Sequence, residues 1–274
     1  MKTKLSCLPV SLYSKFFSSE LTIPQWSKRA QALDLDAIDI NALFLKDKST
    51  EEIKQIKSEL SLPVFMVSAY SDFTNPSDEK RVLALETALK DMRASAAIGA
   101  QYIRLTIGQH HPGCSSSKQL AYARECFEEC SRVSNETGIK ILLENHSKPG
   151  AWEYNDFVFN IQRFLDAVDA LSDLPVTINF DTANAYALGD WKKVLNAVSG
   201  KINTIHINDL KSISPLTFTL AGEGIVPIEE IVDAIYETGF NGAVSLEEAS
   251  FLDWYGIAKG VEFTKNLLNK YNKE

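Results

Sequence analysis

The 274-residue sequence has few of the residues and runs that mark specialised protein classes. No apolar run approaches the length of a membrane span, and the stretch from Met1 to Leu12 lacks the long apolar segment of a secretory signal. The cysteines show no CxxC spacing, so reduced thiols are the simplest interpretation; they are Cys7, Cys114, Cys126 and Cys130. We therefore expect a cytoplasmic protein with no membrane partner.

Basic residues are in the minority. Lysine and arginine number 28 against 36 aspartates and glutamates, which gives a formal net charge of −8. A general nucleic-acid binder needs a basic face to displace counterions from phosphates, so we expect no nucleic-acid partner. A small anionic substrate is compatible with this charge, because a local arginine and a metal can outweigh it.

Nucleotide-binding loops and linkers are also missing. No GxGxxG follows the first strand pattern, no GxxxxGK[ST] occurs, and no segment is rich in proline, glycine or serine. A hydrophobic share of 45% and a charged share of 23% are ordinary for a globular chain and sufficient for one large core. The sequence predicts one domain over residues 1–274. Barrels of this size often form homo-oligomers, but no interface motif is evident.

Strand-like and helix-like patterns alternate along the whole chain. The predicted strands are Lys4–Val10, Ala37–Leu45, Pro63–Tyr70, Tyr102–Gly108, Lys140–His146, Val176–Asn184, Ile202–Asp209 and Gly242–Ser250. The predicted helices between them include Glu51–Leu60, Ser77–Ile98, Ser117–Thr137, Trp152–Leu171, Asp190–Val198 and Ile228–Thr238. Eight such repeats predict an α/β fold of the (β/α)8 TIM-barrel type, with an open doubly wound sheet as the alternative.

Each of the last four predicted strands contains, near its end, a residue that can bind a divalent metal. These residues are Glu144, Asp181, His206 and Glu247. Burying a carboxylate at the end of an apolar strand is costly unless it is paired or binds a cation. Adjacent strands lie about 4.8 Å apart, so four neighbours can surround one ion. Three carboxylates and one imidazole suit a single Mn²⁺, Mg²⁺, Co²⁺ or Zn²⁺ ion.

Side-chain alternation extends this predicted site. His146 shares a strand face with Glu144, and Asn208 shares one with His206, so both are candidate substrate contacts. Tyr70 ends the third predicted strand. Arg104 lies within the fourth, among apolar residues, where it needs an anionic partner that is either substrate or a neighbouring carboxylate.

The motifs around these residues resemble those of the xylose isomerase-like TIM barrels, a superfamily that includes sugar-phosphate isomerases and epimerases. The shared motifs are Leu-Leu-Glu144-Asn145-His146, Asp181-Thr-Ala-Asn184, His206-Ile-Asn208-Asp209, Gly222-Glu223-Gly224 and Ser-Leu-Glu247. The resemblance covers essentially the whole barrel. Its motifs are specific for the superfamily and not for a substrate.

The resemblance implies a metal-dependent isomerase or epimerase of a small polyhydroxylated substrate, such as a sugar, a keto sugar or a sugar phosphate. It implies that Glu144, Asp181, His206 and Glu247 hold the metal. It further implies that Glu144 and Glu247 move a proton at the substrate carbon while the metal stabilises an enediolate.

Other branches of the superfamily give alternatives. Endonuclease IV-like repair enzymes need more histidines, including one three residues after the Asp, where this chain has Asn184. The 3-dehydroshikimate dehydratases share the equivalents of Tyr70, Arg104 and His146, but they expect a lysine at the position of Asn208. A barrel that only binds a sugar or a protein partner without catalysis is the third alternative, against which the intact ligand set argues.

Overall fold

A computed structural model describes residues 3–148 and 150–271, in which strands and helices alternate as the sequence predicts. The strands are β1 (Leu5–Leu8), β2 (Ile38–Asn41), β3 (Val64–Ser68), β4 (Tyr102–Leu105), β5 (Lys140–Glu144), β6 (Val176–Asp181), β7 (Ile202–Ile207), β8 (Asp209–Ile213), β9 (Leu216–Thr219) and β10 (Ala243–Glu247). The helices are α1 (Tyr13–Phe17), α2 (Ile23–Ala32), α3 (Thr50–Ser58), α4 (Asp78–Ile98), α5 (Ser116–Thr137), α6 (Ile161–Ala170), α7 (Thr182–Ala187), α8 (Trp191–Val198), α9 (Ile228–Glu237) and α10 (Asp253–Leu268).

Eight parallel strands form a nearly closed barrel. Their order in the sheet is β1, β10, β7, β6, β5, β4, β3 and β2. Barrel strands that follow one another along the chain therefore pair, except β1 and β2, which are the two edges of the sheet. Between β1 and β2, the amide of Asp36 donates to the Leu5 carbonyl at 2.9 Å, and Ser6 Oγ donates to Asp39 Oδ2 at 2.9 Å. The predicted single-domain (β/α)8 barrel is thus confirmed, and the open doubly wound sheet is excluded.

Local sequence signals explain where the long outer helices begin and end. The side chain of Ser77 caps the start of α4, and that of Ser115 caps the start of α5. Both helices end at glycines with positive φ, +87° at Gly99 and +77° at Gly138, which is the left-handed conformation that glycine adopts most easily. Neither these helices nor any other in the described part of the chain has the length and apolar character needed to cross a membrane.

Every predicted barrel strand is present, and each ends earlier than predicted. The largest error is in the second strand, predicted as Ala37–Leu45. It ends at Asn41, whose Oδ1 accepts from the Leu43 amide at 2.9 Å and starts a short 3₁₀ turn. The sixth strand, predicted as Val176–Asn184, ends at Asp181 for the same reason, because the Asp181 side chain caps helix α7.

Two further boundaries differ from the prediction. The helix predicted as Trp152–Leu171 begins only at Ile161, where Asn160 caps it. The strand predicted as Ile202–Asp209 ends at Ile207, and Asp209 begins an antiparallel hairpin of β8 and β9 that the sequence patterns do not indicate. Because the strands end early, Tyr70, His146 and Asn208 lie just beyond their strands, in the segments that follow.

The hairpin is anchored by the buried carboxylate of Asp209. It accepts hydrogen bonds from the amides of Leu210, Gly222, Gly224 and Val226 at 2.8–3.1 Å. A Cβ at Gly224 would overlap the Asp209 carboxylate, so the close approach of backbone to carboxylate requires glycine there. The Gly222-Glu223-Gly224 motif therefore folds around Asp209.

Candidate metal centre and active site

Four potential metal ligands meet at the C-terminal end of the barrel. Glu144, Asp181, His206 and Glu247 end or nearly end the four adjacent strands β5, β6, β7 and β10. One ligand atom from each lies within 4.8 Å of the others. Glu144, Asp181 and His206 are fully buried, and the side chain of Glu247 retains 12% exposure. The structure thus brings together the four residues that the sequence selects.

Most of the potential ligand atoms in this group have no protein hydrogen-bond partner. Among the described residues, this holds for both oxygens of Glu144, of which Oε2 has an ion-pair contact only, for Asp181 Oδ2 and for both ring nitrogens of His206. His206 Nδ1 lies 3.1 Å from Glu247 Oε2 and 3.6 Å from Glu144 Oε1. Buried polar atoms that lack partners in the protein are atoms that an ion can satisfy.

The electrostatics of the cluster also fit a cation. Burial raises the pKa of Asp181 well above its ordinary value, and repulsion from Glu144 and Glu247 raises it further. Burial would lower the pKa of His206, but Glu144 and Glu247 raise it well above the ordinary range. A divalent ion would displace the protons that this crowding holds on Asp181 and His206, and the resulting three carboxylates and one imidazole suit one metal, with Mn²⁺, Mg²⁺, Co²⁺ and Zn²⁺ all compatible.

Arg104 forms a buried ion pair with one of these carboxylates. Its Nε lies 2.9 Å from Glu144 Oε2, and both side chains are completely buried. Burial would raise the pKa of Glu144, but Arg104 and then His206 outweigh it and hold that pKa below its ordinary value. The guanidinium also lies over the ring of Tyr70, 4.7 Å from its centroid. Of the two partners that the sequence leaves open for Arg104, the structure supplies the carboxylate.

The other predicted substrate contacts, His146 and Asn208, differ in how far the protein already occupies their polar atoms. His146 is 7% exposed, and its ring centroid is 5.8 Å from that of Tyr70. Asn208 is nearly buried, and its Oδ1 accepts from the backbone amide of Asp209 at 2.9 Å. The Asn208 side chain is therefore partly occupied within the protein.

Two residues near the site escape sequence-based prediction. Tyr13, in α1, accepts a hydrogen bond from Asn41 at 3.4 Å, and burial followed by the nearby Tyr70 raises its pKa. Its position soon after the first strand is a signal that could have revealed it. Asp156 is fully buried 3.3 Å from His146 Nδ1, yet it lies in a segment predicted to be helical, and no motif distinguishes it.

Fold and site together define a class: a TIM barrel with three buried carboxylates and one histidine at the C-terminal ends of adjacent strands. A family model described as the xylose isomerase-like TIM barrel matches residues 27–267. The chain belongs to this family, which confirms the resemblance seen in its motifs.

Individual relatives are distant. The chain is 24% identical over 252 residues to an inosose isomerase of Bacillus velezensis, covering 85% of this chain and 88% of the relative. It is similar in fold to the IolI protein solved with a zinc atom, at a TM-score of 0.82 and 18% identity over 99% of this chain and 100% of the other. A D-tagatose 3-epimerase-like protein gives a TM-score of 0.76 and 16% identity over 98% of each chain.

Proposed function

We propose that this protein is a divalent-metal-dependent isomerase or epimerase of a small polyhydroxylated ketone. One observation carries the proposal: two glutamates lie on either side of a histidine and an aspartate in a buried group whose ligand atoms lie within 4.8 Å of one another. This arrangement can hold one metal and present two carboxylates to one substrate carbon. An inosose isomerase and a D-tagatose 3-epimerase-like protein among the relatives support the same reaction class.

The protein's own residues divide the proton transfer between them. When bound, a divalent ion would supply Lewis-acid polarisation of the substrate's carbonyl and neighbouring hydroxyl. One of Glu144 and Glu247, in its ionised form, removes the proton from the carbon next to the carbonyl; the other, which enters the turnover protonated, donates its own proton to the resulting enediolate, so the two glutamates exchange protonation states. Proton donation to the opposite face of the same carbon gives epimerisation. Proton donation to the former carbonyl carbon, with the proton of the neighbouring hydroxyl passed to the former carbonyl oxygen, gives isomerisation. Arg104 keeps Glu144 ionised between turnovers, since it holds the pKa of Glu144 low against burial.

Remaining side chains hold the substrate. The Nη1 and Nη2 atoms of Arg104 are buried and have no hydrogen-bond partner among the described residues, so oxygens of a bound substrate would satisfy donors that the protein does not. Tyr70, His146 and Asn208 complete the proposed substrate contacts around the metal cluster. Because these groups offer both donors and acceptors, they suit a ligand that carries several hydroxyls.

Charge at the centre supports a neutral substrate over a phosphorylated one. Three carboxylates and the Arg104 guanidinium leave two negative charges, which one divalent ion would neutralise. The buried Arg104 is already paired with Glu144, so a phosphate would have to compete with that carboxylate. The same reasoning counts against 3-dehydroshikimate, which carries a carboxylate, since Asn208 offers no charge where a dehydratase has lysine. The cytoplasmic location stays a prediction from the sequence.

Deuterium exchange tests the proposal even while the product is unidentified. The protein is freed of metal by chelation, reloaded with Mn²⁺ or Zn²⁺, and incubated in D₂O with neutral ketoses and keto-inositols. NMR or mass spectrometry then follows deuterium entry next to the carbonyl. We expect metal-dependent exchange that falls by at least about 100-fold in both Glu144→Gln and Glu247→Gln.

The neighbouring Glu248 provides a matched control. Its carboxylate accepts from the Ser250 amide at 3.0 Å, away from the metal ligands, so Glu248→Gln should retain exchange. Continued exchange in both glutamate variants of the site would contradict the proton-transfer roles. Faster loss of water from 3-dehydroshikimate than exchange on any ketose would identify a lyase instead. Metal binding without chemistry on any of these compounds would favour a binding protein.

A further inference from the structure

A buried aspartate outside the metal cluster contacts the histidine that we place against substrate. Asp156 is completely buried, and its Oδ2 lies 3.3 Å from His146 Nδ1. The two atoms are close but not aligned as a hydrogen bond, and each lacks any other partner among the residues that the structure describes; contacts of this kind often tighten only when substrate binds. No donor other than His146 is placed against Oδ2 in the described part of the chain. An unpaired buried carboxylate is costly, so this contact has to compensate for its burial.

The backbone around Asp156 fixes the carboxylate in place. The amide of Asp156 donates to the Ser147 carbonyl at 2.7 Å, and its Oδ1 accepts from the Val158 amide at 3.1 Å. With Oδ1 occupied in this way, Oδ2 is the oxygen left for His146. The carboxylate therefore offers one oxygen, Oδ2, to the imidazole.

The loop that carries Asp156 is bound to the loop after β4. Gln109 Oε1 accepts from the amides of both Glu153 and Tyr154 at 2.9 Å. Gln109 is held in turn by Asp72, which accepts from the Gln109 amide at 2.9 Å and from its Nε2 at 3.0 Å. Loops from three successive strands thus brace the position of Asp156, which suits a residue that orients another side chain.

We propose that Asp156 is a positioning residue that holds His146 as the tautomer protonated on Nδ1, leaving Nε2 as a hydrogen-bond acceptor for a substrate hydroxyl. A carboxylate on one imidazole nitrogen fixes both the ring orientation and the nitrogen that carries the proton. The opposite tautomer would offer substrate a donor in place of an acceptor. The assignment of His146 as a substrate contact rests on the proposed function. The assignment of its tautomer rests only on the contact with Asp156.

Nitrogen NMR reads the tautomer directly and needs no substrate. The chain has only four histidines, so ¹⁵N-histidine labelling gives few ring signals, and a His146→Gln variant assigns that of His146. Spectra are recorded on Zn²⁺-loaded protein at about pH 8.5, where a free imidazole is neutral. We expect the proton of His146 on Nδ1, and we expect Asp156→Asn to move it to Nε2, because the asparagine amide can donate to Nδ1.

Variants of the same region separate positioning from simple support of the loop. Gln109→Ala removes the bonds to Glu153 and Tyr154 but leaves the Asp156 carboxylate, so it should leave the tautomer unchanged. A wild-type His146 protonated on Nε2, or on both nitrogens, would overturn the proposal. So would an Nδ1 proton that persists in both Asp156→Asn and Asp156→Ala. A shift in Gln109→Ala equal to that in Asp156→Asn would assign the effect to the loop and also overturn it.

Kinetics add a second readout once exchange on a substrate is established. Asp156→Asn should reduce turnover by at least about tenfold, because the wrong tautomer presents substrate with a donor in place of an acceptor. In a His146→Ala background the same change should cost nothing further, because the residue it orients is gone. Additive losses would contradict the positioning role. If no compound is exchanged at all, the proposed function fails while the NMR result still decides the role of Asp156.

Discussion

Replacing Arg104 by methionine tests whether the Arg104 guanidinium and a bound metal both stabilise the ionised carboxylate of Glu144. The pair is fully buried at 2.9 Å, so its attraction at an effective dielectric of about 20 is about 6 kcal/mol. Desolvation offsets part of this, and breaking a buried pair by removing one partner typically costs about 3–5 kcal/mol. We expect Arg104→Met to lower the free energy of unfolding of the metal-free protein by about 3–5 kcal/mol.

A bound metal should reduce this cost, because it supplies a second positive neighbour for Glu144. In the presence of Mn²⁺, we expect Arg104→Met to lower the free energy of unfolding by at least about 1.4 kcal/mol less than in its absence. By thermodynamic reciprocity, the variant should then bind Mn²⁺ at least about tenfold more tightly than the wild type. Urea unfolding with chelator and with Mn²⁺ measures the first quantity, and isothermal titration calorimetry measures the second.

A surface ion pair provides the control for Arg104→Met. Arg124 and Asp173 lie 2.7 Å apart with side chains 33% and 64% exposed, so solvent screens the pair and Arg124→Met should cost far less than Arg104→Met, whether or not metal is present. An equal loss for Arg104→Met with and without Mn²⁺ would refute the reasoning, because it would mean that Glu144 does not bind the ion. No measurable loss in either condition would refute the ion pair itself.

Three further outcomes follow from single carboxylates. Asp181→Asn should lower metal content after dialysis, measured by elemental analysis, and full retention would contradict its role as a ligand. Asp209→Asn should destabilise the fold by about 1–3 kcal/mol, because an amide cannot accept all four backbone hydrogen bonds; an unchanged melting temperature would contradict this. Burial would raise the pKa of Asp72, but hydrogen bonds from Gln109 and Asn75 lower it overall. The ionised Asp72 side chain therefore stabilises the fold fully above its unfolded pKa near 4, and this stabilisation is lost as the pH falls through the lower folded pKa. Asp72→Asn should therefore flatten the loss of stability at acid pH, and an unaltered acid limb would contradict it.

The barrel and the grouping of the four candidate ligands are predictable because they depend on regular patterns. Apolar runs alternate with helical periodicity, and parallel strands of one barrel must bring their C-terminal ends to one face. Once Glu144 and His206 are recognised as strand ends, their proximity follows from topology alone. This inference does not depend on the conformations of the loops.

Boundaries and loop residues are less predictable, because short polar side chains decide them through local hydrogen bonds. Asn41 and Asp181 each end a strand by capping the turn that follows, although the apolar pattern continues beyond both. Asp156 is harder still, since its contact with His146 depends on a loop held by residues far away in sequence. Hydrophobic periodicity contains no information about such long-range bracing.

Asp181 joins the proposed metal centre to the helix that follows it. Its Oδ1 accepts from the Asn184 amide at 2.6 Å, and its Oδ2 is the oxygen without a protein partner. An ion that draws on Oδ2 would withdraw electron density from a carboxylate that also caps α7, so metal loading and the first turn of that helix are coupled through two oxygens of one side chain. A glutamate at this position could not readily satisfy both, because its extra methylene separates the carboxylate from the backbone that it caps. Aspartate, but not glutamate, therefore allows metal binding to change the hydrogen bond that the Asn184 amide donates.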